Sequence, residues 1–172
     1  MELQPWFVTA AAAELIDLAG LGIAMRVLLP AAATGGRLVT IEETTAPGMG
    51  PPLHVHHAQM ETFYCVEGAY AFQVGEQRFT TTPGAAAMVP PGVPHAFRNI
   101  ADRPSRQLFT LTPAGEGEAF FRELAALYAA PQPEQAAGLP ELPLQYRDYA
   151  RWQRSRAQGP EQAQHLAFWN HA

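Results

Sequence analysis

Short apolar segments at even spacing, each bounded by glycine or proline, limit what this chain of 172 residues can fold into. They run through residues 23–112, and segments of this length and composition predict β-strands. The prolines fall at segment ends, where a missing N–H does not interrupt a sheet. Many short strands at even spacing indicate an antiparallel sandwich or barrel. The predicted strands of this all-β fold are IAMRVLLP, GRLVTIEET, TFYCVEG, AYAFQVG, QRFTT, AAMVPPG, HAFRNI and RQLFTLTP.

The pattern becomes helical after Pro113, in the segment GEGEAFFRELAALYAA. Its apolar residues recur at helical spacing, at Phe120, Leu124, Leu127 and Tyr128. A Pro-rich connector follows, and residues 144–156 predict another helix with an aromatic stripe of Tyr146, Tyr149 and Trp152. We therefore predict a β-barrel domain with a tail helix over residues 1–130. Residues 131–172 are predicted to comprise the Pro-rich connector and a helical appendage, and we expect its aromatic stripe to dock on a barrel, in the same chain or in a partner.

Charge and cysteine content exclude several classes of function. The net charge of −5 argues against nucleic acid as a partner. The single cysteine, Cys65, has no internal disulfide partner, which favours a reducing compartment. The apolar N-terminal segment lacks a basic leading region and is interrupted by Glu14, Asp17 and Arg26, so it predicts neither a signal peptide nor a membrane span. We expect a cytoplasmic homodimer that binds a small molecule.

The densest group of candidate ligands lies in GMGPPLHVHHAQMETFYCVEG, residues 48–68. His54 and His56 are two apart, and residues two apart on a strand share a face. Glu61 would enter from the next strand after the bend HAQM, and His95 follows a Pro-rich turn. Three imidazoles and one carboxylate suit a divalent metal and leave positions open for substrate or dioxygen. His57 would point away from His56, so we do not expect it to be a ligand.

Two spaced motifs in this region resemble the two motifs of the cupin family. The first reads Gly48, five residues, His54, one residue, His56, four residues, Glu61, six residues, Gly68. The second reads Gly84, five residues, Pro90, one residue, Gly92, two residues, His95, three residues, Asn99. Fifteen residues separate them, similar to the spacing in small single-domain bacterial cupins.

This resemblance implies a cupin jelly-roll β-barrel with C-terminal helices and one metal ion inside. It assigns the ligand roles to His54, His56, Glu61 and His95. The metal identity stays open among iron, nickel, manganese, copper, cobalt and zinc. A resemblance to quercetinase-like small cupins covers residues 6–127. In such cupins the glutamate is thought to take a proton from the substrate, so Glu61 is also the candidate catalytic residue.

A second pattern overlaps the first motif. The letters HHAQMET, residues 56–62, approximate the HHxxxDG motif of nonribosomal peptide condensation domains. Glu61 and Thr62 depart from that motif, and such a domain would be several times longer than this chain. The appendage nevertheless resembles the segment that follows the motif in those domains. The matching residues are Gln145, Tyr146, Asp148, Tyr149, Ala150, Trp152 and Gln153. We interpret the appendage as a condensation-like fragment attached to a cupin.

Strand alternation places apolar side chains beside the candidate ligands. Phe63 and Cys65 share the face of Glu61, Phe97 shares the face of His95, and Phe72 lies on the strand between. We predict that these four residues line an apolar substrate pocket. The chain has no lysine for Schiff-base chemistry, so catalysis would depend on the metal. The sequence predicts a metal-dependent dioxygenase of a small aromatic or enol-type molecule. The alternatives are a non-catalytic metal- or ligand-binding cupin and a metal-assisted isomerase or lyase, each within a biosynthetic pathway.

Overall fold

The computed structural model describes residues 3–129. Contacts divide the chain into two units, Met1–Pro131 and Gln132–Ala172, and the described residues belong to the first. The predicted helix over residues 144–156 and its aromatic stripe lie outside the described residues, as does the condensation-like fragment.

Antiparallel strands make up most of the described unit. The strands are β1 (Glu14–Leu18), β2 (Ile23–Leu29), β3 (Val39–Thr45), β4 (Met60–Glu67), β5 (Tyr70–Val74), β6 (Gln77–Thr81), β7 (Ala86–Val89), β8 (His95–Asn99) and β9 (Ser105–Thr112). Helix α1 (Gly117–Ala129) follows, and short 3₁₀ turns occupy Ala19–Leu21 and Ala31–Thr34. Among the described residues, no helix combines the length and apolarity needed to cross a membrane.

The strands form two sheets that enclose the core. One sheet has six strands in the order β1-β2-β3-β9-β4-β7, and the other has three in the order β6-β5-β8. The pairs β3–β9, β4–β7 and β5–β8 join strands that are not consecutive in sequence, and all are antiparallel. This two-sheet, crossed-over arrangement is a jelly roll with a helix at its end, which confirms the predicted all-β fold.

Alternation along the strands explains which residues form the core. In β9, every second side chain from Ser105 to Leu111 is buried, as expected for a strand with one face inward. Three aromatic side chains meet at the centre: the ring centroids of Phe63 and Phe72 are 5.1 Å apart, and Phe97 lies 5.4 Å from Phe63 and 5.3 Å from Phe72. Burying each such side chain stabilises the fold by roughly 1.5–3 kcal/mol.

Asn99 closes the second predicted motif by organising the turn after β8. Its side chain is fully buried, and its Nδ2 donates to the carbonyl oxygens of Thr45 and Arg103, each at 2.8 Å. Its Oδ1 accepts from the Ala101 N–H at 2.8 Å and from the Ser105 hydroxyl at 2.7 Å. One side chain therefore makes four hydrogen bonds that tie the turn after β8 to β3 and β9.

Two local predictions were incomplete. Strand β1 was not predicted, although Ile16 and Leu18 alternate inward along it. In α1 the predicted apolar face was rotated, because Phe120 and Leu127 are 48% and 55% exposed whereas Phe121 is buried. The helix packs on the core through Phe121, Leu124, Ala125 and Tyr128, which are spaced at three, four and seven residues and so form one continuous stripe.

Candidate metal centre

The segment between β3 and β4 carries two of the candidate ligands, and it is a loop pinned to β8 rather than the predicted strand. Its prolines, Pro51 and Pro52, have no N–H to give to a ladder. Its backbone hydrogen bonds to β8 include one bridge, in which the His54 N–H donates to the His95 carbonyl at 2.9 Å and the His95 N–H donates back at 2.8 Å. This bridge places the two imidazoles side by side, with ring centroids 4.2 Å apart.

Gly50 allows the loop to lie against β8. A Cβ built on this residue would lie 2.1 Å from the carbonyl oxygen of Phe97 and 3.0 Å from the Cα of Arg98. Both contacts are backbone atoms that cannot move aside, so only glycine is accommodated here. The close approach brings His54 and His56 over the end of the barrel where β4 and β8 begin.

The four predicted ligands come together at this end. One potential ligand atom from each of His54, His56, Glu61 and His95 lies within 4.8 Å of all the others. The Nε2 atom of His95 is 2.8 Å from Oε2 of Glu61, and Nε2 of His56 is 3.5 Å from the same oxygen. Two ligand atoms at right angles on one ion are roughly 3 Å apart when each bond is about 2.1 Å, so these separations suit a shared ion.

Backbone carbonyls fix the orientation of two of the imidazoles. Nδ1 of His54 lies 2.9 Å from the Pro52 carbonyl oxygen, and Nδ1 of His95 lies 3.1 Å from the Val93 carbonyl oxygen. In each ring Nδ1–H is then the donor, which leaves the lone pair of Nε2 for a metal.

The buried pair His95–Glu61 tests whether the site fits a metal. A neutral imidazole carries a single N–H, yet both nitrogens of His95 face oxygen acceptors. With Nδ1–H on Val93, the Nε2 lone pair faces the Glu61 carboxylate, and a metal ion held by both residues would relieve this contact. Three nitrogens and one carboxylate are also a donor set that divalent transition metals accept. The residues therefore fit a metal.

The electrostatics of the histidines favour the ligand form. The pKa of His54 is lowered to about 4, mainly by burial. The neighbouring His95 also lowers this pKa, and its effect is larger than the opposing effect of Glu61. Burial also lowers the pKa of His56 below its usual value, against the opposing effect of Glu61. Both imidazoles are therefore neutral near pH 7, as metal ligation requires. His57 is exposed and does not belong to the cluster.

The four residues predicted to line a pocket lie further inside the barrel than the ligands. Phe63, Phe72 and Phe97 pack against one another and are at most 4% exposed. Cys65 is 1% exposed and is paired with Gln107, two residues further along β4 than Phe63. The aromatic residues thus form an apolar floor beneath the ligand cluster, and Cys65 lies beyond it.

Comparison with known proteins agrees with this architecture. Residues 41–111 match the family model of the cupin domain. The described unit therefore has the fold of a small cupin. An RmlC-like cupin from Shewanella frigidimarina superposes with a TM-score of 0.57 at 23% identity, covering 69% of this chain and 99% of that one. A predicted oxalate decarboxylase from Thermotoga maritima gives 0.57 at 18% identity, covering 63% and 99%. At these identities the likeness concerns the fold alone.

A curated relative matches a short part of the chain. A linear gramicidin synthase protein from Brevibacillus parabrevis is 48% identical over 50 residues, which is 29% of this chain and 1% of that protein. The chain thus spans only a very small share of this relative. The match does not confirm that the appendage is a condensation-like fragment.

Two polar residues near the candidate site were not predicted from the sequence, the partly buried Gln59 and the buried Glu43. Gln59 joins the ligand loop to the residues before α1, donating from Nε2 to the Ala114 carbonyl at 2.8 Å. Glu43 faces the barrel interior and is 2% exposed. Alternation from Val39 and Ile41 along β3 places Glu43 on the inner face, so its burial could have been predicted from the sequence. The partner of Gln59 is distant in sequence and carried no comparable signal.

Proposed function

We propose that this cupin binds one divalent transition metal through His54, His56, Glu61 and His95 and is a quercetinase-like dioxygenase of a small aromatic or enol-type molecule. The observation that carries the proposal is the convergence of four ligand atoms within 4.8 Å above an apolar floor. When bound, the metal would supply a Lewis acid that holds the deprotonated substrate oxygen and brings it close to dioxygen.

Glu61 has the position that proton transfer requires. Its carboxylate is 4% exposed, and Oε2 lies against the Nε2 atoms of both His56 and His95. From this position Glu61 can accept the proton of a substrate hydroxyl that enters the cluster. His56 forms the more accessible side of the site, with 16% of its side chain exposed against 0% for His95. A substrate would therefore approach past His56.

The aromatic floor supports a substrate without charge. Phe63 and Phe97 face the ligand end of the barrel from the two sheets, so a planar apolar molecule would meet carbon surface below the metal. The predicted pocket of Phe63, Cys65, Phe72 and Phe97 requires these side chains to separate, because they are packed together.

That packing favours one alternative, a cupin that holds a metal or small ligand without turnover. Because the floor residues are packed together, the ligand cluster is the part of the site that a small molecule can reach. A fold of this kind also hosts many functions. Elemental analysis followed by oxygen uptake with a panel of phenols and enols separates the two. We expect one metal per chain and oxygen consumption with at least one substrate. Metal binding without uptake across the panel would favour the alternative, and a metal-free purified protein that also binds none on titration would overturn both.

The homodimer and the cytoplasmic location belong to the same proposal. Tyr64 and Met88 are 47% and 53% exposed on the outer face of β4 and β7, at one edge of the large sheet. A second copy could cover this apolar pair. Light scattering of the full chain tests the dimer, and a monomer at micromolar concentration would count against it.

A further inference from the structure

The three histidines of the cluster differ in how their second ring nitrogen is held. His54 and His95 each use the carbonyl of the residue two positions earlier, Pro52 and Val93. His56 is held differently. The carbonyl two positions before it belongs to His54 and accepts the His95 N–H at 2.8 Å. The side-chain partner of His56 comes from the residue three positions later.

Gln59 is the partner of the His56 ring. Its side chain is hydrogen-bonded to the His56 imidazole. The other end of the amide is anchored, because Nε2 donates to the Ala114 carbonyl at 2.8 Å. Ala114 is itself 1% exposed, and its N–H donates to the Gly36 carbonyl at 3.1 Å, so the anchor is part of the core.

The surroundings leave little freedom to the Gln59 amide. A Cβ on Gly115 would lie 2.9 Å from Nε2 of Gln59, so the turn before α1 closes directly over it. Nε2 points at Ala114, which turns the side-chain oxygen, the acceptor of the amide, to the other side. This orientation of the amide follows from the hydrogen-bond network. His56 Nε2 faces Glu61 at 3.5 Å, which leaves Nδ1 for Gln59.

We infer that Gln59 is a positioning residue for the metal centre: its Oε1 accepts a hydrogen bond from Nδ1–H of His56 and thereby fixes the tautomer that presents Nε2 beside Glu61. The inference rests on the proposed metal site and extends it to a residue outside the ligand set. Partners of this kind orient a ligand, and their loss typically lowers metal affinity about 10- to 100-fold.

The first experiment compares Gln59→Met with the wild-type protein. Methionine keeps the length of the side chain but makes neither hydrogen bond. Gln73→Met is the matched control, because Gln73 also donates to a backbone carbonyl, that of Gly75 at 3.3 Å, and lies in β5 rather than at the ligands. Co²⁺ affinity is measured by competition with a chelator. Nitrogen-15 NMR of the metal-free proteins reports the His56 tautomer.

We expect Gln59→Met to bind Co²⁺ about 10- to 100-fold more weakly and to show a mixture of His56 tautomers. The wild type and Gln73→Met should show Nδ1–H alone and equal affinity. Gln59→Asn, which keeps an amide but is too short to span both partners, should give an intermediate loss. This variant keeps the test valid if the methionine variant fails to fold.

Unchanged Co²⁺ affinity and an unchanged His56 tautomer in both Gln59 variants would overturn the inference. An equal loss in Gln73→Met would also overturn it, since general loosening would then be the cause. If the wild type binds no Co²⁺, the proposed function fails, and the His56 tautomer alone tests the inference. Loss of the Nδ1–H tautomer in the Gln59 variants would support the hydrogen bond. A wild-type His56 in any other tautomer would refute it.

Discussion

Glu43 is a carboxyl group buried inside the barrel among uncharged donors. Its Oε1 accepts from the Thr45 hydroxyl at 2.6 Å and from Nε2 of Gln107 at 3.2 Å. Burial raises its pKa from 4.5 to about 7, and these hydrogen bonds offset only part of that rise. A carboxyl group whose pKa is raised on folding stabilises the folded state at low pH, and the contribution is lost as pH rises through the folded value.

The change Glu43→Gln should therefore stabilise the protein above neutral pH. Below pH 4.5 both states of the wild type hold the proton, and the amide should make little difference. Between 4.5 and about 7 the wild type loses stability as the unfolded chain releases its proton first. At pH 8 we expect the variant to be more stable by up to about 3 kcal/mol, because one pKa unit corresponds to about 1.4 kcal/mol. Urea unfolding of the metal-free proteins from pH 5 to 8 measures this.

Glu42→Gln is the control for that measurement, since Glu42 lies on the same strand but pairs with Arg106 at 3.3 Å on the outer face. Losing a partly exposed pair of this kind should cost no more than about 1 kcal/mol. Parallel stability curves for the wild type and Glu43→Gln across this pH range would contradict the assignment of a raised pKa to Glu43.

The adjacent histidines of the loop offer a second test of single residues. His56→Ala removes one of the clustered nitrogens, whereas His57→Ala removes an exposed side chain outside the cluster. We expect the first variant to lose metal affinity by more than about 100-fold, which exceeds the usual effect of losing an outer partner. The second should bind as the wild type does. Isothermal titration with the same metal compares them, and equal affinities would remove His56 from the site.

The convergence of the four candidate ligands was predictable from the sequence because their spacing reflects backbone requirements. His54 and His56 flank Val55 in a loop whose position depends on Gly50, and His95 begins the strand that this loop pairs with. Gln59 was not predictable, since its partner Ala114 lies 55 residues away and a carbonyl oxygen has no sequence signature. Local spacing can be read from a sequence, but a contact between distant segments depends on how they pack.

At the scale of secondary structure, strands with a regular alternation of apolar and polar residues were predicted, and a strand with a weak alternation was missed. β9 alternates over eight residues and was predicted, whereas β1 has five residues with Glu14 and Asp17 among them and was missed. The orientation of α1 depends on where Tyr128 packs, and its ring lies over Gly20 in the turn after β1. That contact selects the stripe containing Phe121, and the helix sequence alone left the neighbouring stripe equally plausible.

The loop between β3 and β4 provides a prediction at this scale. Gly50→Ala should force the loop away from β8, because the new Cβ would overlap the Phe97 carbonyl oxygen. The displacement carries His54 and His56 with it, so metal affinity and melting temperature should both fall. Gly48→Ala is the matched change: Gly48 has φ +71° and open space around its Cβ position. Its cost should be limited to about 1–2 kcal/mol of backbone strain.

Metal titration and thermal melting distinguish the two loop variants. We expect Gly48→Ala to melt earlier yet bind metal as the wild type does, while Gly50→Ala loses both properties. If Gly50→Ala binds metal normally, the position of the loop on β8 does not determine the ligand geometry.

For the whole molecule, we predict that the first unit is sufficient for the metal site. All four candidate ligands lie before residue 100, within the unit Met1–Pro131. A chain ending at Pro131 should therefore retain the metal stoichiometry of the full chain. Its stability or oligomeric state should change if the aromatic stripe of Tyr146, Tyr149 and Trp152 docks on a barrel.

Elemental analysis, light scattering and melting curves of the full and shortened chains measure these outcomes. A shortened chain that folds but loses its metal would show that the appendage belongs to the site. One that keeps its size and melting temperature would show that the stripe is not docked. The sequence places the end of the barrel domain at residue 130, before the Pro-rich connector that begins at Pro131, and this boundary stays a prediction. The sequence could not assign a substrate, because the floor of Phe63, Phe72 and Phe97 is ordinary apolar core.

The pairing of the ligand loop with β8 also bears on self-association. β8 is the last strand of the three-stranded sheet, and its outer edge makes backbone hydrogen bonds with Gly48, Met49 and His54. An uncovered strand edge is a template on which other chains can add strands and begin to aggregate. The residues that cover this edge lie in the loop that carries two of the candidate ligands, so a bound metal would hold the covering loop in place. Prolonged exposure to a chelator should then uncover the edge of β8 and promote aggregation, in addition to removing the ion.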